Sequence, residues 1–225
     1  MGTVEYGLNG FLKKNFRLWK DLSEKKEKEE MKKFELTSES IVKFGRILYR
    51  IRALVAFGNV KEGELGGFLE KEENLSQDGY AWVGGDATVI GYAIVSGDAI
   101  VRENATVLGY AIVSGNAIVS GDAKVRGNAT VSGDAKVRGY ATVFKTSHYL
   151  VIGPMGSRNE FTTFFRTKNL FIGVSCGCFR GNVDEFVKKV KETHGDNKHA
   201  KTYLAAAELA KMQIDLTPEE NEKGD

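Results

Sequence analysis

Along residues 79–144 the small and apolar positions return every six residues without a gap: GYAWVG, GDATVI, GYAIVS, GDAIVR, ENATVL, GYAIVS, GNAIVS, GDAKVR, GNATVS, GDAKVR, GYATVF. Each of these eleven hexads has Ala third and Val fifth, from Ala81 and Val83 to Ala141 and Val143, and only Glu103 interrupts the leading Gly. A helix face recurs about every 3.6 residues and a strand face about every two, so a period of six is neither alone. It fits short strands joined by Gly-Asp, Gly-Asn or Gly-Tyr corners, because glycine accepts backbone angles that other residues avoid. One such turn cannot bury its own apolar face, whereas stacked turns can. The pattern therefore predicts a solenoid.

On either side the pattern changes. From Met31 to Asp78 apolar and polar residues alternate around Ile47, Tyr49, Ile51 and Ala53, predicting a strand, and GELGGFLEKEENLS reads as a turn leading into the first hexad. This segment is expected to cap the open end of the stack, since an uncapped solenoid offers its edge to neighbours. Before it, Leu12, Phe16 and Trp19 recur at helical spacing ahead of the charged run SEKKEKEE, the pattern of an amphipathic helix packed on the stack or on a second copy. Lys and Glu codons are all purine, so KKEKEEM also reads as a translated ribosome-binding site with Met31 as the natural start.

After the repeat, HYLVI, EFTTFFRT and LFIGVSC predict strands, and two helices follow. Asn182, with Glu185 three residues on, has the form of a capping box for VDEFVKKVKET; Gly195 ends that helix, and NKHAKTYLAAAELAKMQI is the second. The chain thus divides into an extension (1–30), a cap (31–78), the solenoid (79–144), a small C-terminal α+β domain (145–214) and an acidic tail (215–225) expected to fray.

Composition then narrows the function classes. The 225 residues carry a net charge of +2, which gives no global reason to bind nucleic acid. No apolar run reaches the roughly 18 residues of a membrane span, and the N-terminus lacks the apolar core of a signal peptide. Cys176 and Cys178 stand one residue apart, too close for an unstrained disulfide, so reduced thiols and a cytoplasmic setting are expected.

The V-x-G-[DNY]-A-x word resembles the hexapeptide repeat of left-handed parallel β-helices, in which three hexads make one triangular coil. The resemblance implies a mainly β protein of about 3.7 coils, roughly 17 Å of stack at ordinary strand spacing, with Val inward and Ala at the corners. Residues 18 apart would then share a face. One face would stack Trp82, Ile100, Ile118 and Lys136, and a second Thr88, Thr106, Lys124 and Thr142 beside Ile90, Leu108, Arg126 and Phe144. The third would stack Tyr92, Tyr110 and Asn128 beside Ile94, Ile112 and Thr130. These positions are expected to point outward. The early coils would therefore expose Trp82, Ile90, Ile94, Ile100, Leu108, Ile112 and Ile118. Each is worth about 1.5–3 kcal/mol when buried, so a homotrimer joined along them is expected. The later coils carry Lys124, Arg126, Lys136 and Arg138 instead.

Many hexapeptide-repeat proteins are acyltransferases acting on coenzyme A thioesters, with a histidine base at a subunit interface beside a loop that leaves the coil. Here the hexads contain neither; His148, His194 and His199 all lie outside them. The three-histidine metal sites of similarly shaped carbonic anhydrases are missing for the same reason. The candidate site moves to the C-terminal domain, where GPMGSRNEFTTFFRTK gathers Ser157, Arg158, Asn159, Thr162, Thr163, Arg166 and Lys168, and CGCFRG adds Arg180. Gly-Ser amides with an arginine form an anion cradle, which His194 and Asn197 of THGDN would close; the competing reading is a turn with ordinary surface charges. Cys176, Cys178, His194 and His199 are four potential zinc ligands, but a one-residue gap between the cysteines does not match the usual spacing, so no metal is assigned. A cysteine nucleophile paired with His194 lacks a third group, and no cofactor is implied.

Taken together, LYRIRALVAFGNVKEGELGGFLEKEENLSQDGYAWV, the hexads, IGPMGSRNEFTTFF and CGCFRGNVDEFVKKVKETHGDN resemble hexapeptide-repeat proteins of bacteriophages, prophages and other mobile elements, from Met31 to about Ile214. That resemblance implies the cytoplasm of an infected bacterium and the binding or disabling of a host component. The expectation is a non-catalytic binding or scaffold protein whose C-terminal domain takes an anionic small molecule, such as a nucleotide, or a host protein. The alternative is an acyltransferase using a coenzyme A thioester.

Overall fold

The computed structural model describes residues 32–219, so the helix expected around Leu12, Phe16 and Trp19 lies outside the described residues. Ahead of the repeat run β1 (Phe34–Lys43), β2 (Arg46–Ala53) and β3 (Leu65–Leu69). The first six hexads then give β4 (Trp82–Val83), β5 (Thr88–Gly91), β6 (Ile94–Val95), β7 (Ile100–Val101), β8 (Thr106–Gly109) and β9 (Ile112–Val113). The last five give β10 (Ile118–Val119), β11 (Lys124–Val125), β12 (Thr130–Val131), β13 (Lys136–Val137) and β14 (Thr142–Val143).

These strands form a parallel β-solenoid of about four turns. Three parallel stacks make its faces: β4-β7-β10-β13, β6-β9-β12, and β5-β8-β11-β14, the last extended by β3, β2 and β1. The register is the one the repeat implies, with Trp82 on Ile100, Ile118 on Lys136, Thr88 on Thr106, and Ile94 on Ile112. Every hexad Ala and Val from Ala81 to Val143 is fully buried, so the interior is one continuous column of small and branched apolar groups. The leading residue of each hexad has φ between 61° and 80°, Glu103 included, which is why glycine dominates there.

The two ends of the stack need different chemistry. At the fourth position of a hexad the backbone N–H donates to the next coil: Trp82, Ile100 and Ile118 bond the carbonyls of Ala99, Ala117 and Ala135. The first coil is left with carbonyls that have no preceding coil, and the last with N–H groups that have no following one. Donors meet the first set. Lys33 Nζ reaches the carbonyls of Gly79 and Ala81 at 3.3 and 3.0 Å, and Asn74 Nδ2 those of Gly91 and Ala93 at 3.0 and 2.8 Å. Burial lowers the Lys33 pKa to about 8, with Asp78 and Asp98 acting against it. Acceptors meet the second set: Thr163 Oγ1 takes the Lys136 N–H at 2.9 Å, and His148 Nδ1 takes that of Phe144 at 3.2 Å. Each polar edge is therefore met by partners of the complementary kind.

The cap also covers part of the outer surface. Leu48, Phe68 and Ile90 form a buried cluster against Ile41 and Leu108, and Phe57 packs edge-on against Trp82 with ring centroids 5.5 Å apart. The outward expectation thus fails at Trp82 and Ile90, which the chain itself buries to 5% and 3% exposure. Ile100, Leu108 and Ile118 are half-buried; Ile94 and Ile112 remain exposed, beside a stacked Tyr92–Tyr110 pair. The strand expected from Ile47, Tyr49, Ile51 and Ala53 is present as β2, but its buried set is Leu48, Ile51 and Ala53. A register break against β3 between Arg50 and Arg52 accompanies this change of face.

Beyond the coil, β15 (Tyr149–Met155), β16 (Glu160–Arg166), β17 (Ile172–Cys176) and β18 (Phe179–Asn182) form an antiparallel sheet in that order. One face packs on α1 (Val183–His194) and α2 (Lys198–Gln213) through Phe164, Val174, Phe186, Tyr203 and Ala207. The other face meets the end of the solenoid, and Phe165 joins the coil's own core. The Asn182–Glu185 capping box is formed as the sequence predicts. Of the tail, residues as far as Glu219 are described: the Thr217 carbonyl accepts from buried Arg166 at 3.3 Å, and Glu219 pairs with Lys145 at 2.8 Å.

Candidate functional site

Two turns and two helices enclose a cleft of about 220 Å³ on the helical side of the sheet. The β15–β16 turn brings Ser157 and Arg158, the β17–β18 turn brings Gly177 and Cys178, α1 contributes Phe186, Lys189 and His194, and α2 contributes Tyr203. Phe186, Val190 and His194 recur every four residues, which puts them on one side of α1 facing the cleft. Gly156 makes the closure possible. Its φ is +74°, and a Cβ there would sit 1.8 Å from the Tyr203 hydroxyl. Only a residue without a side chain lets the phenol enter the turn.

Inside the cleft Arg158 Nη1 lies 3.3 Å from Cys178 Sγ, and this contact, then Cys178's charge and that of Glu160, holds the guanidinium above its ordinary pKa. Thr162 Oγ1 donates to Cys176 Sγ at 3.1 Å. Burial pushes the Tyr203 phenol up, with Cys176 adding to the effect and Ser157 opposing it through hydrogen bonds. The His194 ring sits 5.7 Å from that of Tyr203 and 6.0 Å from that of His199. Arg158 and Lys189 give the cleft a cationic lining, with the His194 imidazole and the Glu160 carboxylate beside them. Among the described residues neither thiol is hydrogen-bonded to His194, and no group of three or more His, Cys, Asp and Glu is placed to hold a metal ion.

The structure brings together Ser157, Arg158 and His194 of the residues proposed from sequence, and distributes the others. Thr162 and Thr163 are both fully buried, on opposite sides of β16. Thr162 faces the cleft side through Cys176, whereas Thr163 bonds the coil. Adjacent strand residues cannot serve one site, and that parity was legible beforehand. Asn159 occupies the turn with φ 52°, and Asn197 caps α2 by accepting from the N–H groups of His199 and Ala200. Arg180 lies across the sheet, in a second cleft with Arg138. Lys189 and Tyr203 were missed; the four-residue spacing through Phe186, Val190 and His194 was the available signal for that side of α1.

No protein-family model matches the chain, and no curated protein matches it. Among the described residues no helix is long and apolar enough to cross a membrane.

Proposed function

We propose that the chain is a non-catalytic binding protein in which the solenoid is a rigid support and the helical-side cleft takes a small phosphorylated molecule. The observation that carries this reading is the convergence of Arg158, Lys189 and His194 on one cleft with the Ser157 turn and the Tyr203 hydroxyl. Arginine and lysine suit a phosphate, and the cleft's aromatic floor of Phe186 and Tyr203 offers apolar contact to what the phosphate carries. The coil supports the same division of labour, since its interior is filled by alanine and valine and has no room for a ligand. By its resemblance to hexapeptide-repeat proteins the coil is left-handed, and copies associate as a homotrimer along the face of Ile94 and Ile112. The likeness to mobile-element proteins adds a role in sequestering a nucleotide of the bacterial host.

Calorimetric titration with pyrophosphate and ribose 5-phosphate tests the reading, because neither probe carries an aromatic ring. Binding is expected for at least one, and Arg158→Ala is expected to weaken it by about tenfold or more, the loss of one charge-assisted hydrogen bond. Arg138→Ala, outside the cleft, should leave it unchanged. Absence of binding by both probes would overturn the proposal, as would Arg158→Ala binding like the parent. Turnover of acetyl-coenzyme A by the intact chain would place it among the acyltransferases instead.

A further inference from the structure

Where the sheet meets the solenoid, a second cleft of about 300 Å³ opens between the last hexad, the loop before β17 and β18. Arg138 and Arg180 line it from opposite sides, and Tyr140, Phe165 and Phe171 form its walls. It lies across the sheet from the first cleft. Thr163, Ser175 and Arg180 stand opposite one another in register and face the coil, while Thr162, Cys176 and Phe179 form the row facing the helices.

Arg138 is in an unusual position for a cation. It is half-buried, its Nε is fully enclosed, and among the described residues that nitrogen has no hydrogen-bond partner. Its charge is destabilised first by burial and then by Arg180 and Arg102, with Glu103 alone acting in its favour. Glu103 is itself engaged, accepting the Gly121 N–H at 2.6 Å and facing Arg102 at 3.8 Å. Arg180 spends Nη1 on the carbonyls of Gly177 and Phe179, both at 2.8 Å, which leaves Nε and Nη2 for another group. The acidic residue in the lining, Glu185, is held by the Asn182 N–H at 2.9 Å in the capping box. Asn182 in turn accepts the N–H groups of Asp184 and Glu185 at the start of α1.

Two arginines lining one cleft, neither in an ion pair among the described residues, suit an anion. The remaining wall is aromatic and open: Tyr140 is 67% and Phe171 41% exposed. A flat ring can lie against such side chains while its substituent reaches the guanidinium groups. We propose that this cleft binds a planar aromatic ring bearing a phosphate or a carboxylate, the anionic group on Arg138 and Arg180 and the ring against Tyr140 and Phe171.

Calorimetric titration of the full chain with phenyl phosphate, benzoate and inorganic phosphate tests it. At least one of the ring-bearing anions is expected to bind about tenfold or more tightly than inorganic phosphate, and preference between the two identifies the anionic group. Measured in an Arg158→Ala background, which disables the first cleft, Arg138→Gln and Arg180→Gln should each weaken that binding by about tenfold. Arg138→Gln should also melt no lower than the parent without ligand, because it removes a confined like charge rather than a bond. A ring that adds nothing to affinity, or binding in that background indifferent to Arg138→Gln, would overturn the proposal. So would a fall of several degrees in melting temperature for Arg138→Gln, which would make the arginine a structural element.

Discussion

His148 has no exposed surface, and its role follows from which nitrogen carries the proton. Nδ1 accepts the Phe144 N–H at 3.2 Å, so the proton of the neutral ring is on Nε2, 3.4 Å from Glu219. Burial lowers the imidazole's pKa, and Arg166 and Lys145 add to that; Glu219 and Asp215 act in the opposite direction. A folded pKa below the unfolded one means that the unfolded chain binds more protons between the two values. This contribution to stability is therefore complete above the unfolded value of about 6.5 and is lost as pH falls below it. Urea unfolding at about pH 7.5 and pH 5.5 should show the parent losing stability on acidification, and His148→Gln should lose less. A parent that gains stability on acidification would contradict the neutral assignment.

Within the repeat the consequential feature is how closely corners stack. Gly115 and Gly133 have the same φ of 65°, yet a Cβ on Gly115 would meet the Gly133 nitrogen at 2.9 Å, whereas one on Gly133 would meet nothing within 4 Å. Both alanine substitutions carry the cost of a left-handed backbone, about 1–2 kcal/mol. Gly115→Ala must also shift a neighbouring coil, so it is expected to destabilise by about 1 kcal/mol more than Gly133→Ala, as the difference between their denaturation midpoints would reveal. Equal losses would mean that the coils separate freely. Glu103 occupies such a corner without glycine and anchors it by accepting the Gly121 N–H.

For the molecule as a whole, the cap changes which surface is left for association. Trp82 and Ile90 are taken by Phe57 and Leu48, so the apolar surface remaining on the early coils centres on Ile94 and Ile112, at 42% and 39% exposure. The proposed homotrimer accordingly predicts that Ile112→Asp yields a monomer by light scattering with its melting behaviour retained, because that side chain lies outside the valine column. A parent already monomeric at micromolar concentration would count against the trimer. The solenoid's directionality belongs to this scale as well. Donors such as Lys33 and Asn74 close one end, and acceptors such as Thr163 and His148 close the other.

The amino-acid sequence by itself determined the solenoid, its register and its valine column, because a six-residue period repeated eleven times is local information that neighbouring coils merely amplify. It also determined the Asn182–Glu185 cap, which involves residues three apart. Only the tertiary structure decided which face of β2 is buried, since a register break lies in its pairing with β3 rather than in its alternation. The same holds for the clefts. Arg158, His194 and Tyr203 come from three elements, and Arg138 meets Arg180 only because one face of the sheet lies on the end of the coil. Contacts between distant segments depend on how completed elements dock, and no period or spacing along the chain encodes that geometry.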